Sequence, residues 1–540
     1  MSTVKIPRIG GYRKPAIMDW LTTVDHKKLG ILYLWFTLFF FAVGGILAIL
    51  VRTQLAVGEN TFLANDAYNQ IFTMHASAML FLFIIPIWAG FGNYFVPLQI
   101  GALDMAFPRI NALSFWMLPP AGLLMFAGFL VDGGAAAGGW TAYSPLSRQA
   151  GVGMDLWIMA VLLLGMSSTI GAANFLVTMF RMRAPGMTMF RMPIFTWTML
   201  VTALLQLLAT PVLAAALAML FIDRNYGGAF FDPNGGGNVV LWQNVFWFYS
   251  HPAVYIMILP GMGIISEILP VFSRKPLFGY KAFVFATMGI GALGFSVWAH
   301  HMFTTGAVLL PFFGIMTFMI GVPTGVKIFN WLGTLWGGSI SFKAPMLFAL
   351  GFVSMFLIGG LNGTFSAAIP VDFALHDTYF VVAHIHYVLF GGSVFAVFAG
   401  MYYWFPKIWG RKLDERLGQL HFVFMFIGFN LAFFPMHLLG LDGMPRRIAT
   451  YANESGWEPL NILSTVGAYI IAIGMIPFII NLVLAFRRPQ DQPNDPWEGN
   501  TLEWATTSPP PVHNFDSILP VKSERPLFDA RQENTNMENH

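Results

Sequence analysis

The residues most able to do chemistry in this 540-residue chain are its histidines. Eight of the twelve, each in or at the end of a long apolar run, stand out: His75, His251, His300, His301, His376, His384, His386 and His437. An ionisable side chain inside a bilayer is costly and ordinarily faces a partner. Any one of them reads equally well as a neutral imidazole hydrogen-bonded within a bundle, but a set of eight asks for ligands. His384 and His386 are two residues apart, which on a helix turns them about 200° from each other. They cannot grip one metal from one face, but they can hold two cofactors on opposite sides. His75, in the middle of another run, could give a second axial ligand to one of these. His251 with the adjacent pair His300 and His301 offers three neutral imidazoles from two further runs. That donor set suits copper, zinc or iron, and spacing does not choose among them. Tyr255 stands one helical turn from His251. A phenol there could supply a proton and an electron, although on spacing alone a packed interfacial tyrosine is the better reading.

The elements that must position these groups follow from composition. Hydrophobic residues make up 56% of the chain and charged residues 10%, against about 25% charged in a soluble domain. This excludes a soluble globule and a disordered chain. With 29 Lys and Arg against 26 Asp and Glu there is no basic surplus for nucleic acid. The absence of cysteine excludes disulfides, iron–sulfur clusters and thiolate metal sites. About twenty apolar residues cross a bilayer as a helix. Twelve such runs lie at roughly 29–51, 70–98, 112–131, 154–180, 192–222, 240–270, 282–305, 308–329, 345–369, 378–405, 420–440 and 460–486. The expectation is one all-α membrane domain over 1–540, with a bundle of about twelve transmembrane helices over 29–486 and a polar tail over 487–540. If the chain starts inside, all but five of the 29 basic residues fall on inner segments, so both termini are expected to be cytoplasmic. The outer five are Arg52, Arg148, Arg224, Arg446 and Arg447, and anionic cofactor groups are one reason for them to be there. Residues 1–28 are polar and basic and read as preceding a retained first span, with no signal peptide.

Several motifs in order resemble subunit I of the haem–copper oxygen reductases, specifically the cytochrome c oxidases. They run from Thr23-Val24-Asp25-His26-Lys27, through Asp104-Met105-Ala106-Phe107-Pro108-Arg109, His251-Pro252 with Val254-Tyr255, and His300-His301-Met302-Phe303. Pro323-Thr324-Gly325-Val326-Lys327, His376-Asp377-Thr378-Tyr379, Ala383-His384-Ile385-His386-Tyr387, Gly443-Met444-Pro445-Arg446-Arg447 and Ser508-Pro509-Pro510-Pro511 continue the set. The resemblance implies that His75 and His386 ligate a low-spin haem and His384 a high-spin, oxygen-binding haem. It implies haem A, with haem O left open. His251, His300 and His301 would hold copper B, and Tyr255 would be the tyrosine cross-linked to His251. Arg446 and Arg447 would meet haem propionates, Trp140 would lie near them, and Arg52 near a ring substituent of the low-spin haem. His376 and Asp377 would be magnesium ligands shared with subunit II. Two proton paths are implied. One starts at Asp104, at the inner end of the second helix, and continues by Asn93, Asn111, Ser167, Ser168 and Asn174. The other uses Lys327, Thr324, Ser266 and Tyr255. Implied partners are a subunit II with a dicopper centre, a subunit III and other small membrane subunits, cytochrome c as electron donor, dioxygen, and the lipid of a bacterial plasma membrane.

The chain departs from the family pattern where a glutamate usually follows His-Pro. Here Ala253 stands in its place and cannot carry a proton. Tyr249 lies one turn earlier on the same face, as in the branch with Tyr-Ser before the histidine. Tyr249, helped by Ser250, is therefore expected to relay protons, the alternative being a space-filling tyrosine bypassed by water. Gln54 replaces an acid that binds calcium or sodium in relatives, so that site is not expected. Quinol-using relatives carry polar groups at the positions of Val43, Leu47 and Ala67, and only Gln70 matches. Cytochrome c is therefore the expected donor. The competing readings are a quinol oxidase, a nitric oxide reductase, which would lack the His–Tyr pair and both paths, and a twelve-span secondary transporter. The transporter fits the hydropathy but not His384-x-His386 or His300-His301.

Overall fold

The computed structural model describes residues 15–538. The basic residues Lys5, Arg8, Arg13 and Lys14, counted toward orientation above, lie outside the described residues. Among the described residues, twelve helical segments are long and apolar enough to cross a membrane. They are α1 (His26–Gln54), α2 (Asn65–Ile100), α3 (Pro108–Leu130), α4 (Val152–Arg181), α5 (Ile194–Asn225) and α6 (Val239–Ser273). The other six are α7 (Tyr280–Thr305), α8 (Leu310–Leu335), α9 (Ala344–Ala367), α10 (Tyr379–Trp409), α11 (Glu415–Leu441) and α12 (Glu458–Arg487). Among the described residues there is no strand, only two isolated bridges. In hydrocarbon every backbone group must be satisfied within its own segment, and helices do this.

Caps and turns set the ends. Asp25 caps α1, accepting from the Lys27 amide at 2.8 Å; Asn238 caps α6, accepting from Val240; Asp414 caps α11. The chain runs past the apolar runs where polar residues point inward. Thus α8 continues to Leu335 through the buried Asn330 and Thr334, and α11 starts at Glu415, next to its cap. Hydropathy ends where the first polar residues appear, whereas the helix ends where its hydrogen bonds do. Asp104 is not in the second helix. That helix closes at Ile100 on Gly101, in a left-handed conformation at φ 73°, and Asp104 sits in the loop that follows.

Three spans are irregular where they carry histidines. A π-helical stretch, Ala78–Ile84, follows His75 in α2, and another, Leu389–Val394, follows His386 in α10. In α7 the α-helix stops at Leu293 and tightens into 3₁₀ turns over Trp298–Thr305, which carry His300 and His301. Such stretches re-aim side chains and collect at functional sites. Helices cross on small residues. A Cβ on Gly467 of α12 would lie 2.2 Å from the Ala432 amide nitrogen of α11, so only glycine permits that crossing. The tail does not lie loosely on the surface. Leu502, Glu503, Trp504 and Asn514 are buried, and the Lys407 ammonium donates to the Thr506 carbonyl at 2.7 Å.

Candidate functional site

His251 from α6 and His300 and His301 from α7 bring one ring nitrogen each within 4.8 Å of one another. His251 Nδ1 is 3.3 Å from His301 Nε2, which is 3.1 Å from His300 Nε2. Three nitrogens bonded at about 2.0 Å to one ion in a trigonal array lie roughly 3.4 Å apart. The spacing therefore fits a single first-row ion. His300 Nδ1 is 3.0 Å from the Thr317 hydroxyl oxygen, and that hydroxyl donates to the Phe313 carbonyl. The oxygen must then accept from Nδ1–H, which leaves the Nε2 lone pair of His300 aimed at the cluster. His301 is stacked on Trp247, centroids 3.7 Å apart at 13°, and Trp247 donates to the Tyr143 hydroxyl at 2.6 Å. The rings of His251 and Tyr255 lie 4.9 Å apart, edge to face. His251 Nε2 is buried with no hydrogen-bond partner.

The other three histidines present the same logic. His75 Nδ1 is 2.8 Å from the Gly44 carbonyl oxygen, and His386 Nδ1 is 2.7 Å from that of Val382. A carbonyl can only accept, so Nδ1 carries the proton in both rings and Nε2 keeps its lone pair for a metal. His384 Nδ1 donates to the Asn362 side-chain oxygen at 2.6 Å, with the Gly359 carbonyl at 3.1 Å. The Asn362 amide donates on to His437 Nε2 at 2.7 Å. His437 thus supports Asn362 rather than joining a metal cluster. Gly363 lets the His384 ring lie against α9, where a Cβ would meet its Cε1 at 3.0 Å. His386 is stacked on Phe433 at 4.2 Å. Single imidazoles of fixed tautomer, with a free Nε2 each, fit axial ligation of haem iron.

On the face of the bundle opposite the tail, His376 Nδ1 is 3.1 Å from Asp372 and Nε2 is 3.9 Å from Asp377. Asp377 also pairs with Arg446. Burial works against its charge, but the guanidinium beside it holds the carboxyl below its ordinary range. Arg447, at φ 64°, donates to the Thr141 hydroxyl at 3.2 Å. Burial and the neighbouring Arg446 bring it down to about 10. Trp140 packs on Phe246 and Trp247, and Trp247 in turn stacks on His301 of the three-histidine cluster. Arg52 donates one terminal nitrogen to Asn461 and Thr465 of α12, while its Nε and Nη1 are buried without a partner. Gln54 is spent on backbone, bonding to Asn60, Ala449 and Leu63.

The polar residues after Asp104 fall into two hydrogen-bonded groups, Asn93 with Asn111, and Tyr33 and Ser114 with Ser167. Asn111 donates to Asn93 at 2.6 Å, Ser167 to the Ser114 carbonyl at 2.7 Å, and the Tyr33 and Ser114 hydroxyls are 2.9 Å apart. Asn174 is bonded to the Phe107 backbone, which fixes the loop at the foot of α3. A cavity with room for water is lined by Tyr33, Asn93, Asn111, Ser114, Ser167, Ser168 and Gln206. A second one is lined by Ser168 and Tyr249 and shares the walls Phe81, Ile85 and Leu164 with the first. Burial pushes the Asp104 carboxyl up to about 6. Ser250 is buried with its hydroxyl unpartnered and is not bonded to Tyr249. The second set is less joined. Lys327 is fully buried, with Met262 Sδ at 3.4 Å and the Phe283 ring at 4.7 Å. Ser266 accepts from Trp331, and Thr324 bonds to its own helix. No direct hydrogen bond links these residues to Tyr255.

Sequence reasoning missed Tyr33, Ser114, Thr317, Asn362 and Trp247. A polar residue inside an apolar run was the available signal for Asn362 and Thr317. Nothing marked Trp247, whose role depends on which ring it meets.

A family described as Cytochrome C and Quinol oxidase polypeptide I matches residues 28–470. A probable cytochrome c oxidase subunit 1-beta of Nocardia farcinica is 53% identical over 533 residues, covering 98% of this chain and 90% of that protein. A cytochrome c oxidase subunit 1 of Thermostichus vulcanus is 51% identical over 525 residues, covering 96% and 94%. Among solved structures, a haem-copper terminal oxidase dimer determined by cryo-EM has the same fold, with a TM-score of 0.74 at 18% identity over 86% of this chain and 84% of that one. Matched over most of its length by the family and more than half identical to such relatives, the chain belongs to the subunit I family of haem-copper oxidases.

Proposed function

We propose that this chain reduces dioxygen to water with electrons from cytochrome c and couples the reaction to outward proton pumping. It is the catalytic subunit of a terminal oxidase. The observation that carries the proposal is the convergence of three imidazole nitrogens within 4.8 Å, beside a tyrosine. His251, His300 and His301 would hold copper, His384 the oxygen-binding haem, and His75 with His386 the low-spin haem. When bound, these groups supply electron transfer and the reduction of dioxygen. The protein's part is ligation, exclusion of bulk water and proton delivery. Tyr255 stands beside His251 to give a proton and an electron, and the unpartnered Nε2 of His251 is the atom available for a bond to that ring. Arg446 and Arg447, with Trp140, would meet the haem carboxylates, and the free nitrogens of Arg52 a haem ring substituent. His376 and Asp377 would contribute to a magnesium site completed by water and subunit II.

Protons would be taken up at Asp104, pass Asn111, Asn93, Ser167 and Ser168 along the cavity, and reach Tyr249. Its hydroxyl takes over from the carboxyl that Ala253 lacks. Lys327, Thr324 and Ser266 would serve the second branch. A quinol site is disfavoured because Val43 and Leu47 are apolar and only partly buried against the core, so they offer no donor to a quinone carbonyl, and the Gln70 side-chain oxygen accepts from the Ala135 amide at 3.0 Å. The setting would be a bacterial plasma membrane, with the termini and tail on the cytoplasmic side, and with subunit II, subunit III and small membrane subunits as partners.

A reduced-minus-oxidised optical spectrum of the purified complex, repeated with carbon monoxide, tests the two-haem assignment, and its band positions name the haem type. Two haems, one binding carbon monoxide, together with oxygen uptake driven by reduced cytochrome c, are the expected result. Uptake driven by quinol alone would turn the reading to a quinol oxidase. Intact protein without haem bands would overturn it.

A further inference from the structure

The tail packs beside the mouth of the Asp104 route. Asn514 is fully buried there. Its side-chain nitrogen donates to the carbonyls of Ala102 at 2.8 Å and Leu103 at 3.3 Å, the two residues before Asp104. Its oxygen accepts from the Lys27 ammonium at 2.8 Å, which also donates to Val512 at 3.0 Å and lies 3.1 Å from Asp25. His26 faces the same amide, with Nε2 2.9 Å from the Asn514 nitrogen, while its Nδ1 lies 2.6 Å from the Asn93 carbonyl oxygen. Since that carbonyl can only accept, Nδ1 carries the proton and Nε2 can accept from Asn514. The Thr506 hydroxyl anchors the Asn514 carbonyl at 2.6 Å. The backbone of Asn514 is left-handed at φ 68°, which asparagine tolerates better than most residues.

We propose that Asn514 is a positioning residue for Asp104: through this one amide the tail fixes the backbone that carries the carboxyl and keeps the Lys27 ammonium engaged with the tail. The inference rests on Asp104 being the proton-collecting group of the proposed function. The charged groups reaching Asp104 are Asp25 and Lys27, while the backbone amides of Met105 and His26 bond to its carboxyl. Burial and Asp25 favour its protonated form and Lys27 opposes it. Released from Asn514, Lys27 would pull the carboxyl down.

The test is the pH profile of oxygen consumption by the purified complex carrying Asn514→Gly or Asn514→Asp, with haem content as the control for folding. Asn514→Gly keeps the left-handed backbone and frees Lys27, so the alkaline limb should move down by on the order of one pH unit. Asn514→Asp puts a negative charge near Asp104, so the limb should move up. A merely structural role would lower activity equally at all pH values. Asp104→Asn is the third arm. If that variant turns over and pumps as the wild type does, the reading of Asp104 itself fails. If it is slow while both Asn514 variants keep the wild-type profile, shift in the same direction or lose haem, the positioning role is overturned.

Discussion

Thr317 illustrates how little a side chain need do to matter. Its hydroxyl touches no ligand atom of the cluster, yet it decides which nitrogen of His300 carries the proton. Loss of such a partner weakens metal binding by roughly 10–100-fold. Thr317→Val should therefore leave the fold intact and lower copper occupancy under a competing chelator by about that factor, as measured by metal analysis. Tyr249 carries a larger share of the proposed chemistry. Positioned proton transfer contributes on the order of 10²-fold or more. Tyr249→Phe keeps the ring, which is 5% exposed, and removes the hydroxyl beside the cavity. Turnover should fall at least about tenfold, with fewer protons pumped per electron. A phenylalanine enzyme pumping at the wild-type ratio would show that water bridges the gap left by Ala253.

At the scale of elements, irregular helix carries the site. The π-helical stretches in α2 and α10 follow His75 and His386, proposed as ligands, and the 3₁₀ turns of α7 carry His300 and His301. The tail is an element of its own. Glu503 accepts from Gln99 and Trp404 and is fully buried. Burial holds its carboxyl above the ordinary glutamate range. A raised acid favours the docked tail while it is protonated, and that stability is lost as pH rises through the raised value. Limited proteolysis of the tail should accordingly quicken in alkali for the wild type, and Glu503→Gln, which stays neutral, should abolish this pH dependence.

The whole molecule has two chemically different faces. Asp104, Lys27 and the tail share one, and His376, Asp377, Arg446 and Arg447 lie on the other. The basic residues concentrate on the first, which in the proposed orientation is the cytoplasmic face. Protease added to right-side-out vesicles should spare the tail, and protease added to inside-out vesicles should remove it. The reverse would place proton uptake on the wrong side for outward pumping.

The twelve spans were legible because hydropathy and the cost of an unpaired backbone in lipid are local properties of the chain. Histidine types and spacing marked the metal chemistry for the same reason. His384 and His386 must point opposite ways on any helix. What no local property reveals is which distant groups meet. Tyr33 joins Ser114 across 81 residues of chain, Trp247 stacks on His301 where α7 tightens into 3₁₀ turns, and Asn514 reaches His26 over 488. Composition and periodicity thus determined a membrane bundle with histidine-bearing helices. Only the tertiary structure decided the tautomers of His75 and His384, the course of the water-sized cavities and the docking of a polar tail, because each depends on contacts between residues remote in sequence.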